Sequence, residues 1–88
     1  MDFEFDINKS YGNQQKHGID FLEAQKLWHN QYSVIVPAKN IEDEPRYAII
    51  GFIDEKCWVG IFTIRHFQYR IISVRRCRKN EESQYESK

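Results

Sequence analysis

The chain has 88 residues, a hydrophobic fraction of 41%, and 13 basic against 13 acidic side chains, so its formal net charge is zero. That length fits a single domain spanning 1–88, and a chain so short buries only roughly 60–65% of its unfolded surface. No stretch approaches membrane-spanning length, and the opening MDFEFD lacks the basic region and apolar run of a secretion signal, so a cytoplasmic protein without membrane contact is expected.

Aromatic residues make up 15% of the chain, and Phe3, Phe5, Phe21, Trp28, Tyr47, Phe52, Trp58 and Phe62 are the expected core fillers. Cys57 and Cys77 stand at no metal-ligand spacing, with no CxxC and no paired histidines beside them. Neither metal binding nor a cofactor is expected, and both cysteines are read as reduced thiols.

In chain order, Met1 to Phe5 alternates apolar and acidic residues as a short half-buried strand does, and the Asp6 carboxylate then suits a helix cap. A first helix is predicted from about Ile7 to Lys16, thin on its apolar side. Gly18 fits the left-handed position that closes it, and Asp20 with Glu23 three residues later opens a second helix. Phe21, Ala24, Leu27 and Trp28 form the apolar stripe of that helix, which should pack on a sheet. Strand-like runs follow at Tyr32–Val36, Arg46–Ile53, Trp58–Arg65 and Tyr69–Arg76. A loop is expected from Pro37 to Pro45 and a hairpin at Asp54-Glu55-Lys56. With a second hairpin loop at 66–69, Arg65 should lie across from Arg70 and Thr63 across from Ile72. Alternation adds Val74 and Arg76 to the face of Arg65 and Arg70, and turns Ile71, Ser73 and Arg75 to the other. The middle strands are apolar on both faces. The face left by the helices then needs a cover, either the C-terminal segment or a partner protein. The polar tail from Lys79 onward is expected to form a short helix capped by Asn80. The fold class is therefore α+β: an N-terminal helix pair packed on a twisted antiparallel sheet of about four strands, with a short C-terminal helix.

Between Thr63 and Lys79 the chain carries Arg65, Arg70, Arg75, Arg76, Arg78 and Lys79 without a single Asp or Glu. Guanidinium groups are permanently charged planar forks that match phosphate, so this segment suits a polyanion such as RNA. It equally suits a solvated edge strand whose long side chains block aggregation.

Nearly the whole sequence resembles the BrnT family of type II toxins, within the broader RelE/ParE-like group of small ribonucleases. The matching residues are Phe3-Glu4-Phe5-Asp6, Lys9 and Asn13; Lys16-His17-Gly18-Ile19 with Phe21, Glu23 and Ala24; and Glu44 with Arg46-Tyr47 and Ile50-Gly51. They continue with Thr63 and Arg65, then Arg70-Ile71-Ile72-Ser73 with Arg75-Arg76, and Glu81 with Tyr85-Glu86. Ile7, Phe5, Val74 and Cys77 depart from the usual pattern, where proline, tryptophan and two alanines are common. The resemblance implies a RelE-like fold and a metal-independent endoribonuclease that inhibits translation. It also implies neutralisation by a BrnA-type ribbon-helix-helix antitoxin, with promoter DNA bound only through that antitoxin.

Attack on RNA by its own 2′-hydroxyl needs a proton acceptor, charge stabilisation at the phosphorane and a donor to the leaving 5′-oxygen. Arg65, Arg75, His17 and Tyr85 are the catalytic candidates this implies, and Lys16, Arg70, Arg76, Arg78 and Lys79 the RNA-binding ones. Each has a structural alternative. His17 equally suits a hydrogen bond to the backbone at the helix junction, Lys16 a C-terminal helix charge, Tyr85 an anchor for the last helix, and the arginines ion pairs. Two other function classes produce the same arginines: a nucleic-acid-binding module without catalysis, and a toxin that inhibits a protein target such as DNA gyrase.

Overall fold

The computed structural model describes residues 1–38 and 44–86, apart from the side chain of Glu86. Its elements are β1 (Asp2–Glu4), α1 (Ile7–His17), α2 (Phe21–Ala24), α3 (Lys26–His29), β2 (Val34–Ala38), β3 (Arg46–Ile53), β4 (Lys56–Arg65), β5 (Gln68–Arg76) and α4 (Lys79–Glu86). The five strands form one sheet in the order β1-β5-β4-β3-β2.

The local signals at the helix ends act as their chemistry dictates. Asp6 accepts hydrogen bonds from the backbone N–H groups of Asn8 and Lys9, and Gly18 closes α1 at φ 82°. Asp20 caps α2 by accepting from the Glu23 N–H at 2.8 Å. The architecture differs from the predicted one. The sheet is mixed and five-stranded, not antiparallel with about four strands, because β1 adds to its edge parallel to β5, with Phe3 beside Tyr69. No helix pair precedes the sheet either. α1 is a single helix, and the apolar stripe beyond Gly18 breaks at Gln25, where bonds of the tighter i→i−3 type split it into the one-turn segments α2 and α3.

The sheet has apolar residues on both faces. α2 and α3 cover the first face, where Phe21, Leu27, Ile49, Phe62, Ile71 and Val74 form the main core, and α1 is joined to the edge of β5 through Asn13. On the second face Ala48, Ile50, Cys57 and Val59 form a smaller cluster, and Tyr85 of α4 closes over it with its ring 5.3 Å from that of Phe52. The C-terminal segment is thus a cover for the second face. The predicted loop from Pro37 to Pro45 begins later than expected, since Pro37 and Ala38 belong to β2, and its middle lies outside the described residues.

Two registers differ from expectation. Both hairpins turn in two residues, Asp54-Glu55 and His66-Phe67, all four with positive φ. Arg65 consequently pairs with Gln68 and Thr63 with Arg70, two positions from the predicted register. Beyond that, the β4–β5 ladder shifts between Ile61 and Phe62: Phe62 pairs with Ile71 but Ile61 with Ser73, leaving Ile72 as an extra residue. This bulge reverses the alternation of the rest of β5. Val74 and Arg76 both move to the first face, Val74 into the main core, and Arg75 joins Arg70 on the second.

The expectation of reduced thiols is overturned as well. Cys57 and Cys77 form a disulfide, with Cα atoms 5.3 Å apart. Antiparallel pairing explains it: Trp58 opposite Arg76 brings the next positions outward face to face, although they are 20 residues apart in sequence. Loop-closure entropy gives such a cross-link up to about 3 kcal/mol. Dithiothreitol is therefore expected to lower the thermal midpoint by up to about 12–24 °C, and an identical midpoint for the oxidised and reduced chains would contradict this.

Gly51 is required for a steric reason. A Cβ built there would overlap Ser33 Oγ and sit 3.3 Å from Leu27 Cδ2. Gly51→Ala is expected to cost about 1–3 kcal/mol by overpacking, read as a lower urea midpoint with an unchanged slope.

Candidate functional site

The register and the bulge together decide which charged side chains meet. On the second face, Arg65 near the end of β4 and Arg70 on β5 stand close to the β4–β5 hairpin, with Thr63 paired directly to Arg70. Arg46 opens β3 on the same face. Each of the first two arginines has a carboxylate beside it. Arg65 Nε donates to Glu44 Oε2 at 2.8 Å, and Arg70 Nη1 lies 3.6 Å from Glu4 Oε1 on the neighbouring β1. Thr63 Oγ1 donates to the Pro45 carbonyl at 2.7 Å and so fixes the segment that presents Glu44.

The Arg65 guanidinium beside it holds the Glu44 carboxyl below its ordinary range. The pair is open to solvent, so water screens it and another anion can replace the carboxylate. Arg70 and Glu4 are each about a third exposed and meet through one long contact. This half of the second face therefore offers guanidinium groups beside partly exposed carboxylates.

Arg75 is held differently. Its two terminal nitrogens donate to the two carboxylate oxygens of Glu81 at 2.8 and 2.7 Å, and Glu81 also accepts from the Arg78 backbone N–H at 2.8 Å. That second bond is half of a capping box at the start of α4. Arg75 first, and the Arg78 N–H with it, hold the Glu81 carboxyl down at about 2. Because the folded value lies below the ordinary one, the pair's stabilisation is present in full above about pH 4.5 and is lost as pH falls towards 2. It amounts to roughly 2–3 kcal/mol. Acid titration should release α4 in that window, seen as a change in Tyr85 fluorescence, and Glu81→Gln should abolish the transition.

The remaining candidates lie elsewhere. Lys16 and His17 end α1, which is tied through Asn13 to the backbone of Val74 on the edge of β5. The following Gly18 and Ile19 lie beside Ile53 and Trp58 at the β3–β4 hairpin, the other end of the sheet from Arg65 and Arg70. Arg76 also turns to the first face, with its guanidinium 5.5 Å from the centre of the Trp58 ring and its Nε donating to the Cys57 carbonyl. Arg78 and Lys79 are exposed where β5 leads into α4. Tyr85 is on the second face but packs on Phe52. The structure thus brings Arg65 and Arg70 together, adds Arg75 under α4, and leaves the others apart.

Glu4 and Glu44 are among the residues that carry the family resemblance, but sequence alone gives them no part in the site. Only the strand order places them. No helix among the described residues is long and apolar enough to cross a membrane.

No curated protein matches the sequence. The family model described as the ribonuclease toxin, BrnT, of type II toxin-antitoxin systems matches residues 5–81. That span includes Glu44, Arg65, Arg70, Arg75 and the whole sheet except β1. The cationic face and the match over most of the chain lead to one assignment: this chain belongs to the BrnT family of ribonuclease toxins, acting on RNA and paired with an antitoxin.

Proposed function

We propose that RNA is bound and cut on the open half of the second face, with Arg65 and Arg70 holding the scissile phosphate. The observation that carries this reading is that two guanidinium groups share one face beside partly exposed carboxylates, in a family of ribonucleases. A phosphate displaces Glu44 and Glu4 from the guanidiniums, and the freed carboxylates then stand next to the bound nucleotide.

The chemistry follows. The substrate's 2′-hydroxyl gives up its proton and its oxygen attacks phosphorus, the P–O5′ bond breaks, and the leaving 5′-oxygen takes a proton from solvent, so the products carry a 2′,3′-cyclic phosphate and a 5′-hydroxyl. The arginines neutralise the charge that builds on the phosphorane. A proton acceptor on this face comes from Glu4 or Glu44, since His17 stands at the other end of the sheet, by the β3–β4 hairpin. Arg75 stabilises α4 and shapes the far end of the groove, and Arg78 and Lys79 extend its positive charge. No step in this scheme calls for a divalent metal.

The partner in this reading is a BrnA-type ribbon-helix-helix antitoxin, which reaches promoter DNA on behalf of the complex. Its acidic side chains would take the place of RNA phosphates on the arginines. A cytoplasmic location suits an RNA target, and the disulfide is the feature that suits it least.

The test is incubation of the purified chain with end-labelled RNA in chelator, with both product ends mapped. Cyclic-phosphate termini are expected. Abolition by chelator with recovery on adding magnesium would sink the metal-free scheme. Binding without cleavage would favour a non-catalytic RNA module, and intact RNA with altered DNA supercoiling in expressing cells would favour a gyrase-type target.

A further inference from the structure

The two hairpin turns share one backbone geometry and differ in what fills it. Asp54-Glu55 joins β3 to β4 with φ values of 49° and 69°, and His66-Phe67 joins β4 to β5 with 50° and 61°. Turns with two positive φ angles favour Asn, Asp and Gly, and a bulky side chain there is an outlier. The first turn carries polar residues. The second carries a phenylalanine that is 89% exposed. Neither the turn nor the core accounts for that ring, because the same geometry is met a few residues earlier without an aromatic.

The surroundings indicate what the ring meets. On the first face behind the tip, Ile64 is 47% exposed and pairs with Tyr69, whose ring lies 5.5 Å from Phe3. On the second face the same hairpin carries Arg65 and Arg70. The hairpin end therefore presents apolar and aromatic surface on one side and guanidinium groups on the other. A single-stranded nucleotide chain has that composition: flat bases that stack on aromatic rings and phosphates that pair with arginine.

From this we infer that Phe67 is a stacking platform for an unpaired nucleobase of the RNA whose phosphate occupies Arg65 and Arg70. The inference rests on the arginine face being the RNA site. It adds a base-binding position at the hairpin tip, held out from the body of the protein by a backbone conformation that a phenylalanine rarely adopts. Stacking on an exposed ring is tolerant of base identity, so the tip selects for unpaired RNA over duplex more than for one base.

The test uses a short single-stranded oligoribonucleotide carrying 2-aminopurine, with a duplex of the same sequence for comparison. Phe67→Ala should weaken single-strand binding about 5- to 150-fold, the range of one lost base stack, and abolish the 2-aminopurine quenching. Duplex binding should change little. Phe67→Trp should retain both affinity and quenching. Phe67→Gly should lose binding while its thermal midpoint stays equal or rises, since glycine relieves the left-handed strain, and this separates lost contact from lost folding. Unchanged affinity and quenching in Phe67→Ala, with cleavage still dependent on Arg70, would overturn the inference and leave the RNA site standing. Wild-type protein that neither binds nor cuts RNA would overturn both. Unchanged RNA binding with loss of antitoxin binding would assign the ring to a protein contact.

Discussion

Replacing Asn13 with alanine is expected to lower stability by about 3–5 kcal/mol. Asn13 is buried. Its Nδ2 donates to the carbonyls of Ile19 and Val74 at 2.8 and 2.9 Å, and its Oδ1 accepts from the Val74 N–H at 3.1 Å. β1 pairs with β5 only as far as Arg70, so beyond that point the edge of β5 has no strand beside it. The side-chain amide of Asn13 takes the place of that strand and satisfies both backbone groups of Val74. It also ties α1 to the turn before α2. Alanine would leave one buried donor and two acceptors without partners, and each such group costs roughly 1–3 kcal/mol. In a domain of this size the thermal midpoint should fall by about 15–25 °C. Asn13→Asp, which lacks both donated bonds, should be no better. A shift of a few degrees for either variant would show that the edge of β5 does not depend on this residue.

The second large effect is on chemistry. Arg65→Ala and Arg70→Ala should each lower the single-turnover cleavage rate about a hundred- to a thousand-fold, the cost of one preorganised donor at a developing charge. RNA affinity should change much less, because loss of one exposed phosphate contact weakens binding modestly. Arg75→Ala should behave differently, since its partner Glu81 organises α4: a lower thermal midpoint should accompany any loss of rate. Glu4→Gln and Glu44→Gln separate the two possible proton acceptors. The variant that removes the acceptor should lose about 10²- to 10⁴-fold and flatten the acid side of the pH–rate profile. Full rates in both Arg65→Ala and Arg70→Ala would place the active site elsewhere on the molecule.

What the sequence made legible was local. Asp6, Gly18 and Asp20 mark helix boundaries by side-chain or backbone chemistry that acts over three or four residues, and β3 was readable to its ends from β-branched and aromatic density. Arg65 and Arg70 share a face in either register, because a shift of two positions preserves parity. The misreadings were nonlocal or hidden. The parallel pairing of β1 with β5 joins the first residues of the chain to the sixties, and no periodicity records it. The stripe from Phe21 to Trp28 has helical spacing, but its break at Gln25 follows from how the segment bends onto the sheet. The tight turn at His66-Phe67 could not be anticipated from residues that disfavour it. The bulge at Ile72 has no glycine or proline to mark it, and it alone moved Arg75 to the face of Arg70. The acidic partners of the arginines lay outside the stretch that drew notice, so the site was half visible.

The bond between Cys57 and Cys77 closes a covalent ring that contains the whole β4–β5 hairpin, including His66 and Phe67. A peptide bond cut at that tip would open the ring without releasing either piece. The oxidised chain can therefore be nicked at the site proposed to meet RNA and remain one molecule, with Arg65 and Arg70 still tethered on opposite sides of the break. Once reduced, the same nick would leave two fragments joined only by strand pairing. The oxidation state of two cysteines thus decides whether damage at this exposed hairpin tip costs the molecule its integrity.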